Sequence, residues 1–426
     1  MNHKNNELKD FYVLWSTQSL SQLGSAMTAF ALTLWLYEKT GSALSTAALT
    51  ICTYSPYVIM SIFAGALTDR LNKKRTMLFC DALAAASTVA IYILYRTGGL
   101  SIWHLYAINA LSGLMNTVQQ PASEVAYTLV IPKEHYHRTS GLMALSRSAI
   151  SIGNPILASA LYGLAGLGAV IAVDLASFAA AFVSLLLWVR IPEMPREETR
   201  EAGMLKMARE GLAFLRDTPL ILHLILFMAG VNFVASAFDA VLPALVIPVR
   251  GTSALGIVSS CSGIAMVMGS LAATAMGKPR DRVRVVYLTM LFSLGTENFL
   301  LAFSRSTPVW CAAQVLGWIL VPVMNASMNV ILRNTIPVEL QGRVFACRNT
   351  FQFFTIPLGL AFGGFMVDSI CEPLMSTLSQ DGLMVRLFGA GKGSGAALMM
   401  FILGAAGVAL CLASGRKLRG YSYTEN

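Results

Sequence analysis

Charge is what this chain has least of. Only 12% of its 426 residues are Asp, Glu, Lys or Arg, while 55% are hydrophobic. A water-soluble protein of this length has no use for so much apolar surface, so the composition argues for a polytopic membrane protein. Histidine is scarce too, with 5 residues. The 7 cysteines (Cys52, Cys80, Cys261, Cys311, Cys347, Cys371 and Cys411) are scattered without metal-ligand spacing. Most lie in apolar runs and read as small packing residues. No nucleophile–base arrangement and no metal cluster stands out, so neither an enzyme nor a metal centre is expected. The net charge of +9 is read by its place along the chain, and no nucleic-acid partner is expected. The polar start up to Asp10 leads into a run rich in Ser and Gln, so no cleaved signal peptide is expected.

What the chain has in quantity is long apolar runs. Twelve can be drawn, each near the roughly 20 residues that cross a bilayer. They cover about 11–36, 43–67, 76–95, 102–131, 140–165, 168–190, 219–248, 254–277, 284–303, 308–335, 344–367 and 394–415. The stretch 191–218 is polar, carries Pro192 and Pro195, and holds a short amphipathic segment around Leu205–Leu215. The expectation is an all-α membrane protein of twelve transmembrane helices. A six-helix bundle at 1–190 and another at 219–426 would be joined by a cytoplasmic linker at 191–218. With the N-terminus placed in the cytoplasm, most of the 31 Lys and Arg fall in inner loops and tails. Lys39, Arg96, Arg250, Arg305, Arg386 and Lys392 fall outside, and Arg147, Arg333 and Arg348 fall within helices. That bias puts both termini in the cytoplasm.

The halves repeat. Ile131-Pro132-Lys133-Glu134-His135-Tyr136-His137-Arg138 aligns without a gap on Ile336-Pro337-Val338-Glu339-Leu340-Gln341-Gly342-Arg343, an offset of 205 residues. Such repeats imply two similar bundles related by an axis along the membrane normal. The second and third runs are joined by a charged hairpin, Gly65-Ala66-Leu67-Thr68-Asp69-Arg70-Leu71-Asn72-Lys73-Lys74-Arg75. It resembles motif A of the major facilitator superfamily: Gly65, Asp69 and Arg70 match, and Lys73, Lys74 and Arg75 keep the basic character. Asn72 stands where that family usually has Gly, a change that a left-handed turn conformation would tolerate.

Further stretches extend the likeness along the chain. Ser19-Leu20-Ser21-Gln22-Leu23-Gly24, Thr40-Gly41-Ser42-Ala43, Gln120-Pro121-Ala122 and Gln341-Gly342-Arg343-Val344 resemble the macrolide-efflux-type branch of bacterial drug exporters, which has siderophore-exporting relatives. The resemblance implies a multi-pass protein of the bacterial cytoplasmic membrane, acting as a monomer in the lipid bilayer. It implies secondary active export of amphipathic small molecules by alternating access, coupled to protons, with the proton gradient and no cofactor. A dedicated exporter of a cell-made metabolite such as a siderophore or peptide, or a lipid flippase, is the alternative. One family feature is eroded: the antiporter motif of the fifth helix reads Gly153-Asn154-Pro155 and lacks its double Gly.

The first, fourth, seventh and tenth helices line the cavity in this family, and each carries polar residues at helical spacing. They are Gln18, Gln22 and Ser25; Asn109, Asn116, Gln120 and Glu124; Asn232, Ser236 and Asp239; and Gln314, Asn325, Asn329 and Arg333. Trp318, with Met and aromatic neighbours, suits an adaptable apolar pocket. Helix-to-helix hydrogen bonding is the plainer reading of any single amide. The 205-residue offset sets Gln120 opposite Asn325 and Glu124 opposite Asn329, so only one half holds a carboxylate there. Ionisable groups are costly inside a bilayer and are usually functional. Glu124 and Asp239 are therefore the candidate proton- or cation-coupling acids. Glu124 lies eight residues before Pro132, about 12 Å along a helix, at a depth where Arg147 could pair with it. Asp174 and Glu297 lie on peripheral helices, where structural roles are expected, and Asp81 is expected to join the inner charge cluster. Gly65, Asp69, Arg70, Arg138, Arg147 and Arg343 are the candidate gating residues. Gly389-Ala390-Gly391-Lys392-Gly393-Ser394-Gly395 departs from a phosphate loop and reads as a connector.

Overall fold

The computed structural model describes residues 8–192, 204–275, 279, 281–379 and 381–421; the side chains at 61–70, 133, 137, 204–208, 338, 339, 342 and 346 lie outside that description. Every regular element among the described residues is helical. In chain order they begin α1 (Lys9–Thr40), α2 (Ala43–Arg70), α3 (Lys73–Arg96) and α4 (Ile102–Val130). A single turn then leads into α5 (Tyr136–Leu187), followed by α6 (Met204–Asp217), α7 (Pro219–Arg250), α8 (Thr252–Ala275) and α9 (Arg282–Phe303). The chain ends through α10 (Thr307–Trp318), α11 (Val321–Thr335), α12 (Val338–Met366), α13 (Glu372–Thr377), α14 (Leu383–Phe388) and α15 (Ser394–Leu418).

Nine spans among the described residues are long and apolar enough to cross a membrane. One of them, Arg138–Leu187, holds two of the twelve predicted segments. The break between them is Gly166, at φ 74° and ψ −179° inside α5, a conformation open to glycine and strained for other residues. α1 and α4 are also long, at 32 and 29 residues, and carry more polar side chains. The tenth predicted segment is split: α10 ends at Trp318 and α11 starts at Val321, with Pro322 in its first turn. Proline there has no N–H to lose to the helix and cannot continue the one before it. The eleventh runs past its expected end, because α12 passes through a π-helical turn, Val367–Cys371, directly into α13.

The chain divides into two compact units, Met1–Lys39 with Cys52–Glu198, and Thr40–Ile51 with Thr199–Asn426. In the first, Phe11 and Leu14 of α1, Met77 of α3, Ala122 and Tyr127 of α4 and Leu185 at the end of α5 share one buried apolar core. In the second, α7 packs along α12, α15 lies against both α9 and α7, and α10 lies against α8 and α9. The first turns of α2 belong to this second unit, where Ala47 packs with Ala240 and Leu360. Large apolar side chains such as Trp103 and Leu164 stay uncovered, 78% and 88% exposed, as expected of helices whose outer solvent is lipid.

Candidate functional site

In the first unit the clearest functional face is on α4. Asn116, Gln120 and Glu124 are all exposed, and their i, i+4, i+8 spacing puts them in one row. Tyr57 donates to Gln120 Oε1 at 3.5 Å. A row of uncovered amides and a carboxylate faces water, because lipid would leave its polar groups unsatisfied. On α1, Gln22 and Ser25 are exposed in the same way, and Ser25 Oγ donates to Asp174 Oδ1 at 3.0 Å.

Two expectations fail here. Gln18 is not a cavity residue: it is 5% exposed, and its Nε2 donates to Asp81 Oδ2 at 3.2 Å. Gln119 Nε2 donates to the other oxygen of Asp81 at 2.5 Å. Asp81 is accordingly buried and joins α1, α3 and α4 through two amides, outside any surface charge cluster. Glu124 and Arg147 form no ion pair among the described residues. Both are exposed.

In the second unit the matching row is on α11, where Asn325, Asn329 and Arg333 are exposed at i, i+4, i+8. The predicted stripe on α7 breaks up. Asn232 Nδ2 donates to the Gln352 carbonyl at 3.2 Å, and Ser236 is 4% exposed against Gly359. Ser236 Oγ donates back to the Asn232 carbonyl at 2.6 Å. Both side chains therefore fasten α7 to α12 and do not line a cavity. Asp239 stands apart: its side chain is exposed between the buried Phe238 and Ala240, and it has no hydrogen-bond partner among the described residues.

Trp318 does not simply fill an apolar pocket. Its Nε1–H donates to Glu297 Oε1 at 3.0 Å. Glu297, 5% exposed, lies flat against Gly317, where any added Cβ would meet its side chain. Sequence position on a presumed peripheral helix concealed this; the only available signal was a Glu midway along an apolar run.

The gating candidates are described in part. Gly65, Asp69 and Arg70 fall in the last turns of α2, and their side chains lie outside the described residues. Asn72 is not left-handed: at φ −67° it caps α3, accepting from Arg75 N at 3.0 Å. Lys74 Nζ donates to the Val189 carbonyl at 2.7 Å. Arg138 is exposed. Arg343 forms an ion pair with Glu210 of α6, so it is engaged by the amphipathic linker helix.

Another acid, unforeseen, is Asp368 in the π-helical turn. It accepts from Ser42 Oγ at 2.6 Å and from the N–H groups of Ala43 and Leu44 at 2.9 Å each, capping α2. One turn on, Glu372 accepts from Gly393 N at 2.8 Å at the start of α15, so the Gly-rich stretch is a capped connector.

Comparison with known proteins agrees with this architecture. The chain is 25% identical over 383 residues to macrolide efflux protein A of Streptococcus pyogenes, covering 87% of this chain and 92% of that one. It is 24% identical over 366 residues to the multidrug efflux pump Tap of Mycolicibacterium fortuitum, covering 81% and 86%. Among solved structures, a bacterial homologue of the human lysosomal transporter Spinster superposes with a TM-score of 0.71 at 13% identity, covering 97% and 98% of the two chains. The model of the Major Facilitator Superfamily matches residues 14–296. With that match across most of its length and a helical architecture shared with solved transporters, this chain belongs to the Major Facilitator Superfamily, and it is a multi-pass membrane transporter and not an enzyme.

Proposed function

We propose that this protein exports amphipathic small molecules of the macrolide type by alternating access, as a monomer, in exchange for protons. The observation that carries the reading is the pair of exposed polar rows, Asn116–Gln120–Glu124 on α4 and Asn325–Asn329–Arg333 on α11. Amides both donate and accept, and so can meet hydroxyl, ester and ether oxygens of changing position. Apolar helices around them suit the hydrocarbon part of the same substrate. Similarity to efflux pumps over most of the chain supports this substrate class. Glu124 and Asp239 are the coupling acids of this reading, since both are uncovered and neither is tied up in an ion pair among the described residues. The hairpin of Gly65, Asp69 and Arg70, with Arg138, is the cytoplasmic gate.

The test is resistance in a bacterium stripped of its own pumps. Expression should raise macrolide tolerance severalfold, and Glu124→Gln and Asp239→Asn should each abolish the gain at equal membrane levels. Undiminished resistance in both variants would remove the coupling role. A wild-type protein that inserts normally yet changes neither macrolide nor dye tolerance would favour the dedicated exporter of a cell-made metabolite.

A further inference from the structure

Two of the seven cysteines meet. Cys261 sits on α8 and Cys311 on α10, and their thiols hydrogen-bond each other where the two helices pack. Both are free thiols and both are half-buried. Cys52, the remaining half-buried cysteine, belongs to the first unit, and Cys80, Cys347, Cys371 and Cys411 are buried. The backbone supports the pairing independently of the thiols. Gly269 on α8 lies so close to the end of α10 that an added Cβ would meet the Ile319 carbonyl. Gly269 is eight residues past Cys261, and Ile319 is eight residues past Cys311. Both contacts therefore belong to one register of two parallel helices, about 12 Å apart along the axis. Residues four apart form one ridge of a helix. On α8 that ridge is Cys261, Ala265 and Gly269, with Ala265 fully buried. Small side chains along it let the helices close up, and closely spaced backbones are what a bridge between cysteines requires.

We propose that Cys261 and Cys311 are an oxidative modification site, which a two-electron oxidant of the peroxide class converts to a disulfide tying α8 to α10. Two thiols and one hydrogen peroxide give one disulfide and two waters. One thiolate attacks a peroxide oxygen, the O–O bond breaks, and a sulfenic acid forms as the first water is released. The second sulfur then attacks the sulfenic sulfur, the S–S bond forms, the S–O bond breaks, and the second water leaves. An apolar seam keeps the first attack slow. The second is fast, because the partner sulfur is already in contact and needs no encounter. The pair therefore ends as a disulfide and not as the higher oxides that a solitary thiol reaches. Position along the helix agrees with this chemistry. Cys311 lies four residues past Thr307, the start of α10, about 6 Å along the axis. Lys and Arg placement argues that this end of α10 faces outside, the side on which disulfides persist.

The experiment treats the full chain in lipid nanodiscs with hydrogen peroxide and unfolds it in N-ethylmaleimide to block the remaining thiols. Reduction and an isotopically heavy maleimide then mark the cysteines that had been oxidised. Peptide mass spectrometry should find the heavy label on Cys261 and Cys311 together, and the unreduced digest should hold their two peptides joined. Cys80, Cys371 and Cys411 should carry the light label. Cys261→Ser should remove the heavy label from Cys311, and Cys311→Ser should remove it from Cys261. The oxidised wild type should also melt at a higher temperature than the reduced one, a shift that dithiothreitol reverses and Cys261→Ser lacks. Light label at both positions after oxidation would overturn the proposal, as would joining of either peptide to a different cysteine. Sulfinic acid formed at each position regardless of its partner would show two separate thiols and overturn it too. Protection from the light label that a chelator removes without reductant would replace the disulfide with a bound soft metal. The joined peptide is read in the wild type, so a variant that fails to fold leaves the test intact.

Discussion

Asp368 shows how much one side chain can organise. Three donors converge on its carboxylate, two of them backbone N–H groups in the first turn of α2, where the helix dipole also favours a negative charge. Asp368→Ala leaves those N–H groups without their cap and should cost about 1–3 kcal/mol. The cost is read as a lower melting temperature of the detergent-solubilised full chain. Asp368→Asn keeps an acceptor oxygen but loses the charge, so its melting temperature should fall between the two. Equal melting of all three proteins would show that the cap carries no net stability. The sequence offered half of this contact. Thr40-Gly41-Ser42-Ala43 stood out only by its resemblance to the efflux branch, and the partner of Ser42 lies 326 residues away. It also lies just past the point where hydropathy seemed to end the eleventh helix.

At the scale of helices, hydropathy located the spans and the 205-residue repeat located the equivalent rows on α4 and α11. Periodicity then reached its limit. It says which residues share a face of a helix, but not what covers that face, and so Asn232 and Ser236 were grouped with Asp239 although α12 claims them. Gln18 failed for the same reason, being bonded to Asp81 and not open to water. Close crossings are equally invisible in a chain with 34 glycines. The structure singles out Gly269 on α8, where an added Cβ would run into the Ile319 carbonyl between α10 and α11. Backbone cannot swing aside as a side chain can. Gly269→Ala should therefore force α8 and α10 apart and destabilise the second unit by about 1–3 kcal/mol, the usual cost of overpacking. A thermal melt and the yield of monodisperse protein would check it; a wild-type melt would mean the crossing is looser than its geometry implies.

For the molecule as a whole, orientation is the property on which the direction of transport depends, and charge placement argues it. Lys and Arg resist translocation, and their concentration in one set of loops selects the orientation with those loops in the cytoplasm. In this chain the basic hairpin at Lys73–Arg75, the linker with Arg209 and Arg216, and the tail with Arg416, Lys417 and Arg419 all require the same side. The linker helix α6 is fastened to α12 of the same unit through the Glu210–Arg343 ion pair. Both termini should then be cytoplasmic, with the Gly389–Gly395 connector outside. Alkaline phosphatase, active only after export, should be silent when fused after Tyr421 and active when inserted at Lys392; green fluorescent protein should give the reverse. The expectation extends to a cysteine placed at Lys392, which a membrane-impermeant maleimide should label in intact cells, whereas one placed at Arg416 should react only after lysis. Phosphatase activity at the C-terminus with an unlabelled Lys392 position would invert the topology, and with it the claim that this transporter exports.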